Sequence, residues 1–165
     1  MGLPQQQDQQ PPTVPPTATS QPSSKPQLPP EAIELATKLF DFARHGDTSS
    51  LSQYVSAGIP VNLTNHKGDT LLMLAAYHGN LTTVKMLVEK GAEIDGLNDR
   101  GQSIVAGAVF KGYGDVVKFL AENGSDLAAG QPNAIEAAQM FQRDDMLRFF
   151  GIENTPANGG DAAGS

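Results

Sequence analysis

An all-α solenoid of about four helix-turn-helix units, stacked with short hairpin loops between them, is predicted by three features of this 165-residue chain. Glycine recurs at a fixed interval: Gly58, Gly91 and Gly124 lie 33 residues apart, and Gly46, Gly79 and Gly112 keep the same spacing. Gly68 with Gly101, Thr70 with Ser103, Ala75 with Ala108 and Leu87 with Leu120 share that interval. Many coincident positions at one period identify a repeat more securely than any single motif, and units this short bury their apolar faces only by stacking. Between the glycines the apolar residues fall at helical spacing, as Val84, Leu87 and Val88 do ahead of Gly91.

The units follow in order. After Pro29-Pro30, a helix is predicted from Glu31 to Arg44 with Leu39, Phe42 and Ala43 on its packed face, and Leu51, Tyr54 and Val55 supply its partner helix. This first unit is a degenerate cap, because a proline-rich segment stands where the other units have a hairpin. In the second unit Thr70 is placed to accept a backbone N–H at the start of an inner helix running to about His78. Gly79 releases the chain into a turn, and an outer helix runs from about Leu81 to Lys90. The third unit repeats this pattern with Ser103, a helix to about Lys111, Gly112, and then Val117, Leu120 and Ala121 before Gly124. Small Ala75, Ala76 and Ala108 let neighbouring helices approach closely. In the fourth unit, also a degenerate cap, Ala137, Phe141, Met146, Leu147 and Phe150 align with Ala106, Phe110, Val116, Val117 and Leu120, with one residue deleted around Arg143-Asp144.

The repeat domain therefore spans 30–153. Residues 1–29 are Pro, Gln, Thr and Ser almost throughout and cannot bury enough apolar surface to offset chain entropy, so a disordered tail is expected. Pro12-Thr13-Val14-Pro15 and Pro26-Gln27-Leu28-Pro29 fit a PxxP spacing that so proline-rich a composition produces by chance, and a linker or solubilising role is the expectation. Residues 154–165 form a second flexible tail rich in Gly and Ala.

Composition narrows the chemistry. With 18 acidic against 11 basic residues, and a net charge of −7, a general attraction to nucleic acid is not expected. There is no cysteine, hence no disulfide, thiolate zinc site or cysteine nucleophile. The start MGLPQQ lacks the basic and apolar regions of a secretory signal, Gln6 breaks the myristoylation pattern, and no apolar run approaches a membrane span. A monomeric protein of the cytoplasm is expected, with the nucleus also compatible. The three histidines, His45, His66 and His78, fall at turns or helix ends, and too few further ligands accompany them for a tetrahedral metal site. Asp41, Asp47 and Asp69 read as solvated positions or helix-start partners. No phosphate-cradling glycine loop or paired carboxylate spacing stands out, so neither catalysis nor a cofactor is expected.

The period and the phrases LFDFARHGD, LLMLAAYHGN and AGAVFKG resemble the ankyrin-repeat family over residues 31 to about 151, and within it a group of small single-domain microbial proteins. The family's Thr-Pro-Leu-His becomes Thr70-Leu71-Leu72-Met73 and Ser103-Ile104-Val105-Ala106, so packing has to replace the inter-repeat tie that the family histidine makes. The resemblance implies a non-catalytic module that binds another protein on its concave face, through hairpin tips and the ends of inner helices. By period the helix-end positions are Arg44 and His45, Tyr77 and His78, Phe110 and Lys111, and Phe141 and Gln142. The tips are His66, Lys67 and Asp69, then Asp99, Arg100 and Gln102. Aromatic and basic groups together on an acidic protein point to an acidic partner segment with an apolar anchor. Two alternatives stay open: the aromatics simply cover neighbouring hairpins, or the contact is made by an adaptor's convex face or proline-rich tail. Some relatives in the microbial group are associated with catalase and peroxide defence.

Overall fold

The computed structural model describes residues 29–152. The expectations for the two tails, PxxP matches included, fall outside those residues. Eight helices occur among them: α1 (Pro30–His45), α2 (Thr48–Ser56), α3 (Leu71–Tyr77), α4 (Leu81–Glu89), α5 (Ile104–Lys111), α6 (Gly114–Glu122), α7 (Ala134–Met140) and α8 (Asp144–Phe149). Helices α1, α3, α5 and α7 pack in sequence as an inner layer, and α2, α4, α6 and α8 form an outer one. Between units the chain makes hairpins whose pairing is limited to isolated bridges, Thr64 with Thr70 and Leu97 with Ser103.

Local chemistry sets where the inner helices α3, α5 and α7 begin. Thr70 Oγ1 accepts from the Met73 N–H at 3.0 Å and Ser103 Oγ from the Ala106 N–H at 3.2 Å, while Asn133 and Glu136 form a reciprocal capping box on α7. Helix α1 tolerates Pro30 because its first-turn N–H groups have no intrahelical acceptor, and Glu31 at one end with Arg44 and His45 at the other complement its dipole. At the end of α3, Gly79 takes φ +75°, and a Cβ there would stand 2.7 Å from the Tyr113 ring. That glycine both turns the chain and makes room for the next unit.

Leu39, Leu51, Leu72, Leu87, Ile104, Leu120 and Leu147 are fully buried, and Ala43, Ala75, Ala76 and Ala108 let the inner helices close on one another. In the first unit the buried aromatic is Phe40. Phe42 is half-buried because it turns toward its own outer helix, where it stacks on Tyr54 at 6.1 Å.

The fourth unit follows a different register from the expected one. Arg143 N–H bonds Ala138 O as Tyr113 N–H bonds Ala108 O, so the whole unit is offset by 30 residues and its turn is undiminished. The three missing residues lie in the loop between α6 and α7. Met140 therefore stands in the place of Phe110, Phe141 in the place of Lys111, and Gln142 adopts the left-handed conformation (φ +54°) that Gly112 takes at φ +84°.

Hydrogen bonds as well as packing join the units. Asn80 Nδ2 donates to Ala43 O and Arg44 O, both at 2.9 Å, and Arg143 donates from Nε to Val109 O at 3.2 Å and from Nη2 to Phe110 O at 2.9 Å. Both residues follow the left-handed turn, so each cross-links to carbonyls at the preceding inner helix's end, where Val109 O also accepts from the Gly112 N–H at 3.0 Å. Neighbouring loops are tied by Asp99 N–H to Lys67 O at 3.0 Å and Gln131 N–H to Gly101 O at 2.9 Å.

A terminal unit has one stacking neighbour, and so should open first. Phe141 is 39% exposed and meets Phe110 edge-on at 4.8 Å, so Phe141→Ala is expected to cost about 1–2 kcal/mol, short of a fully buried Phe. Hydrogen exchange should quicken in α7 and α8 ahead of α3 and α5. Equal acceleration in all four units would show a single cooperative block.

Candidate protein-binding cleft

The hairpins and inner helices enclose an open cleft of about 570 Å³. Its floor is made of buried residues, chiefly Met73, Leu74, Ser103, Ala106 and Ala137, and its walls of exposed ones, Tyr77, Phe110, Phe141 and Met140. The aromatic rings form a continuous ladder across three units. Tyr77 stacks on Phe110 at 6.3 Å with an interplanar angle of 23°, and Phe110 meets Phe141 at 4.8 Å. Tyr77 and Phe110 lie one 33-residue period apart near the ends of their inner helices, and Phe141, just after α7 in the shifted register of the fourth unit, supplies the third rung. Stacked rings lose little rotamer freedom on binding, a property of good interface anchors.

The residues anticipated from the sequence divide into two groups. Arg44, His66, Lys67, Asp69, Tyr77, His78, Arg100, Gln102, Phe110 and Phe141 line the cleft. His45, Asp99 and Lys111 do not; His45 Nδ1 bonds to Asp41 O at 2.8 Å, and Lys111 Nζ sits 5.1 Å from the Tyr77 ring centroid in a cation–π contact. Asp69 and Gln102 line it but serve the hairpins. Asp69 accepts from Asn98 Nδ2 at 2.9 Å and from Asn65 Nδ2 at 3.4 Å, and Gln102 Oε1 accepts from Asn98 Nδ2 at 2.8 Å. Asn65 and Asn98, missed by sequence reasoning, fix the tips: each side-chain oxygen takes two backbone N–H groups, from Lys67 and Asp69 and from Arg100 and Gln102. Their signal was the Asx-turn chemistry of an asparagine before a tight glycine turn.

The cations differ in availability. Arg44 Nη1 pairs with Asp41 at 2.8 Å. Lys67 and Arg100 have no ion pair among the described residues, although both lie on an acidic chain. His78 titrates below the ordinary 6.5, first because partial burial penalises its charged form and then because Lys111, Arg44 and His45 repel the proton. It is therefore neutral at pH 7. As the pH falls below 6.5 the unfolded chain takes up this proton first, so His78 lowers stability progressively until the folded-state value is passed. An NMR titration should place its midpoint below 6.5, with Lys111→Ala moving it upward. A midpoint at or above 6.5 would refute this assignment of causes.

A two-layered helical stack with hairpins at a 33-residue interval and a cleft along its inner layer defines an ankyrin-type binding scaffold. The family profile for three consecutive ankyrin repeats matches residues 39–131, and the chain belongs to the ankyrin-repeat family. It is 51% identical over 51 residues to a protein of Pseudomonas aeruginosa described as an ankyrin repeat protein, a match taking in 31% of this chain and 30% of that one. It also resembles the crystal structure of the human ASB11 ankyrin repeat domain, with a TM-score of 0.52 and 27% identity over 54% of this chain and 40% of that one. The chain thus spans well under half of each of these relatives. Ankyrin repeats are protein–protein interaction modules, and the family is in general a non-catalytic scaffold.

No helix among the described residues is long and apolar enough to cross a membrane.

Proposed function

We propose that the protein binds a segment of another protein in the concave cleft, and that the segment is acidic and carries an apolar anchor. The observation that carries this reading is the coincidence of the Tyr77–Phe110–Phe141 ladder with Lys67 and Arg100, cations without ion-pair partners among the described residues, on a chain of net charge −7. Exposed rings offer contact area, and free cations steer carboxylates while repelling other basic segments. The module acts by binding and not by chemistry.

Selection from a random peptide display library on the full chain tests the proposal. Peptides rich in Asp and Glu around an apolar residue should be enriched, and their binding should weaken with added salt. The double variant Lys67→Glu, Arg100→Glu should lose them and, once the sign of its rim is inverted, select basic peptides instead. Enrichment of neutral or basic peptides by the unaltered protein would refute it.

A further inference from the structure

Gly107 occupies the interior of α5, where glycine is less favourable than alanine, and its backbone is helical with no left-handed φ to require it. Space does not require it either. A Cβ at this position would meet only Tyr77 Cδ2 within 4 Å, and at 3.4 Å, which is close to ordinary van der Waals contact. The fold would therefore accept alanine at 107. What the glycine does is leave the cleft surface beside the Tyr77 ring edge without a side chain of its own.

The preceding unit shows what has been removed. One period upstream of Ala106 and Gly107 stand Met73 and Leu74, so two long side chains are replaced by a methyl group and a hydrogen. Both small residues line the cleft, between a nearly buried Met73 and the exposed walls of Tyr77, Phe110 and Met140. We propose that this recess is an anchor pocket taking one large apolar side chain, such as phenylalanine or leucine, from an otherwise acidic partner segment. The proposal rests on the reading of the cleft as a protein-binding groove and adds the location and size of its anchor site. Apolar walls, an apolar floor and Lys67 and Arg100 at the hairpin tips account for both halves of that partner chemistry.

The test uses short synthetic peptides with Asp and Glu around a central Phe, Leu or Ala, measured by fluorescence anisotropy against the full chain. The unaltered protein should prefer Phe or Leu over Ala by about tenfold or more. Gly107→Ala should raise Tm by about 4 °C through helix propensity while cutting that preference at least about threefold, because the added methyl enters the recess. Ala106→Met, which restores the residue of the preceding unit, should abolish the preference and leave the helical circular dichroism intact. A more stable Gly107→Ala that keeps the full preference overturns the proposal, as does one with a lower Tm, since the glycine would then serve the fold. If acidic peptides bind, depend on Tyr77 and Phe110, yet do not distinguish Phe from Ala, the anchor pocket is wrong and the groove stands. If no acidic peptide binds, or binding ignores Tyr77→Ala and Phe110→Ala, the groove reading itself fails.

Discussion

Leu72→Ala should cost about 2–5 kcal/mol, a large share of the roughly 5–15 kcal/mol that holds a typical domain folded. Leu72 lies in α3 with no exposed surface, inside a unit whose inner helix packs on both α1 and α5. Shortening it opens a cavity that the surrounding helices fill only in part, because a close-packed interior relaxes incompletely around missing atoms. In a linear array the stability of every unit depends on its neighbour interfaces, so a central lesion splits the stack whereas a terminal one frays it. Urea unfolding should show the midpoint fall, and hydrogen exchange should quicken across α1 to α6 together. A loss below about 1 kcal/mol would mean that the centre relaxes around the missing atoms.

Tyr77→Ala and Phe110→Ala are each expected to weaken binding of acidic, apolar-anchored segments by about 1–2 kcal/mol or more, roughly five- to thirtyfold. The two rings stack at 6.3 Å, so removing one leaves the other unsupported, and the double variant should cost less than the sum of the singles. Lys111 loses its ring partner in Tyr77→Ala, so its charge is freed and association should slow less than dissociation quickens. Charge reversal at Lys67 or Arg100 should act mainly on the association rate and reduce its salt dependence, since groups at an exposed rim contribute by steering. Folding should survive, because both rings are partly exposed on the open face. If both aromatic variants stay folded and bind selected peptides as the unaltered protein does, the concave face is not the working surface.

The repeat was legible in the sequence because it is a matter of spacing. Glycines at one period mark the turns, and Thr70 and Ser103 mark the helix starts with a local hydrogen bond that needs no distant partner. The family match to residues 39–131 and the eight-helix stack agree with that reading. Ten of the anticipated side chains meet at one cleft, Tyr77 and Phe110 among them at one period, although His78 lines it and its one-period neighbours His45 and Lys111 do not.

Other features depended on contacts between units and lay beyond any local signal. The register of the last unit could not be read from its apolar pattern, because Met140 and Phe141 fit the aromatic position equally well; the backbone bond from Arg143 N–H to Ala138 O decided it. The roles of Asn80 and Arg143 emerged only when stacking brought the carbonyls at the preceding helix's end within 3.2 Å of their side chains. Asp69 and Gln102 carry groups suited to gripping a partner, yet neighbouring asparagines engage them first. Sequence by itself thus determined the period, the caps and the face on which the helices meet, because those follow from backbone geometry within one unit. Which polar groups remained free was decided by tertiary structure, because a side chain's availability depends on what the adjoining unit places against it.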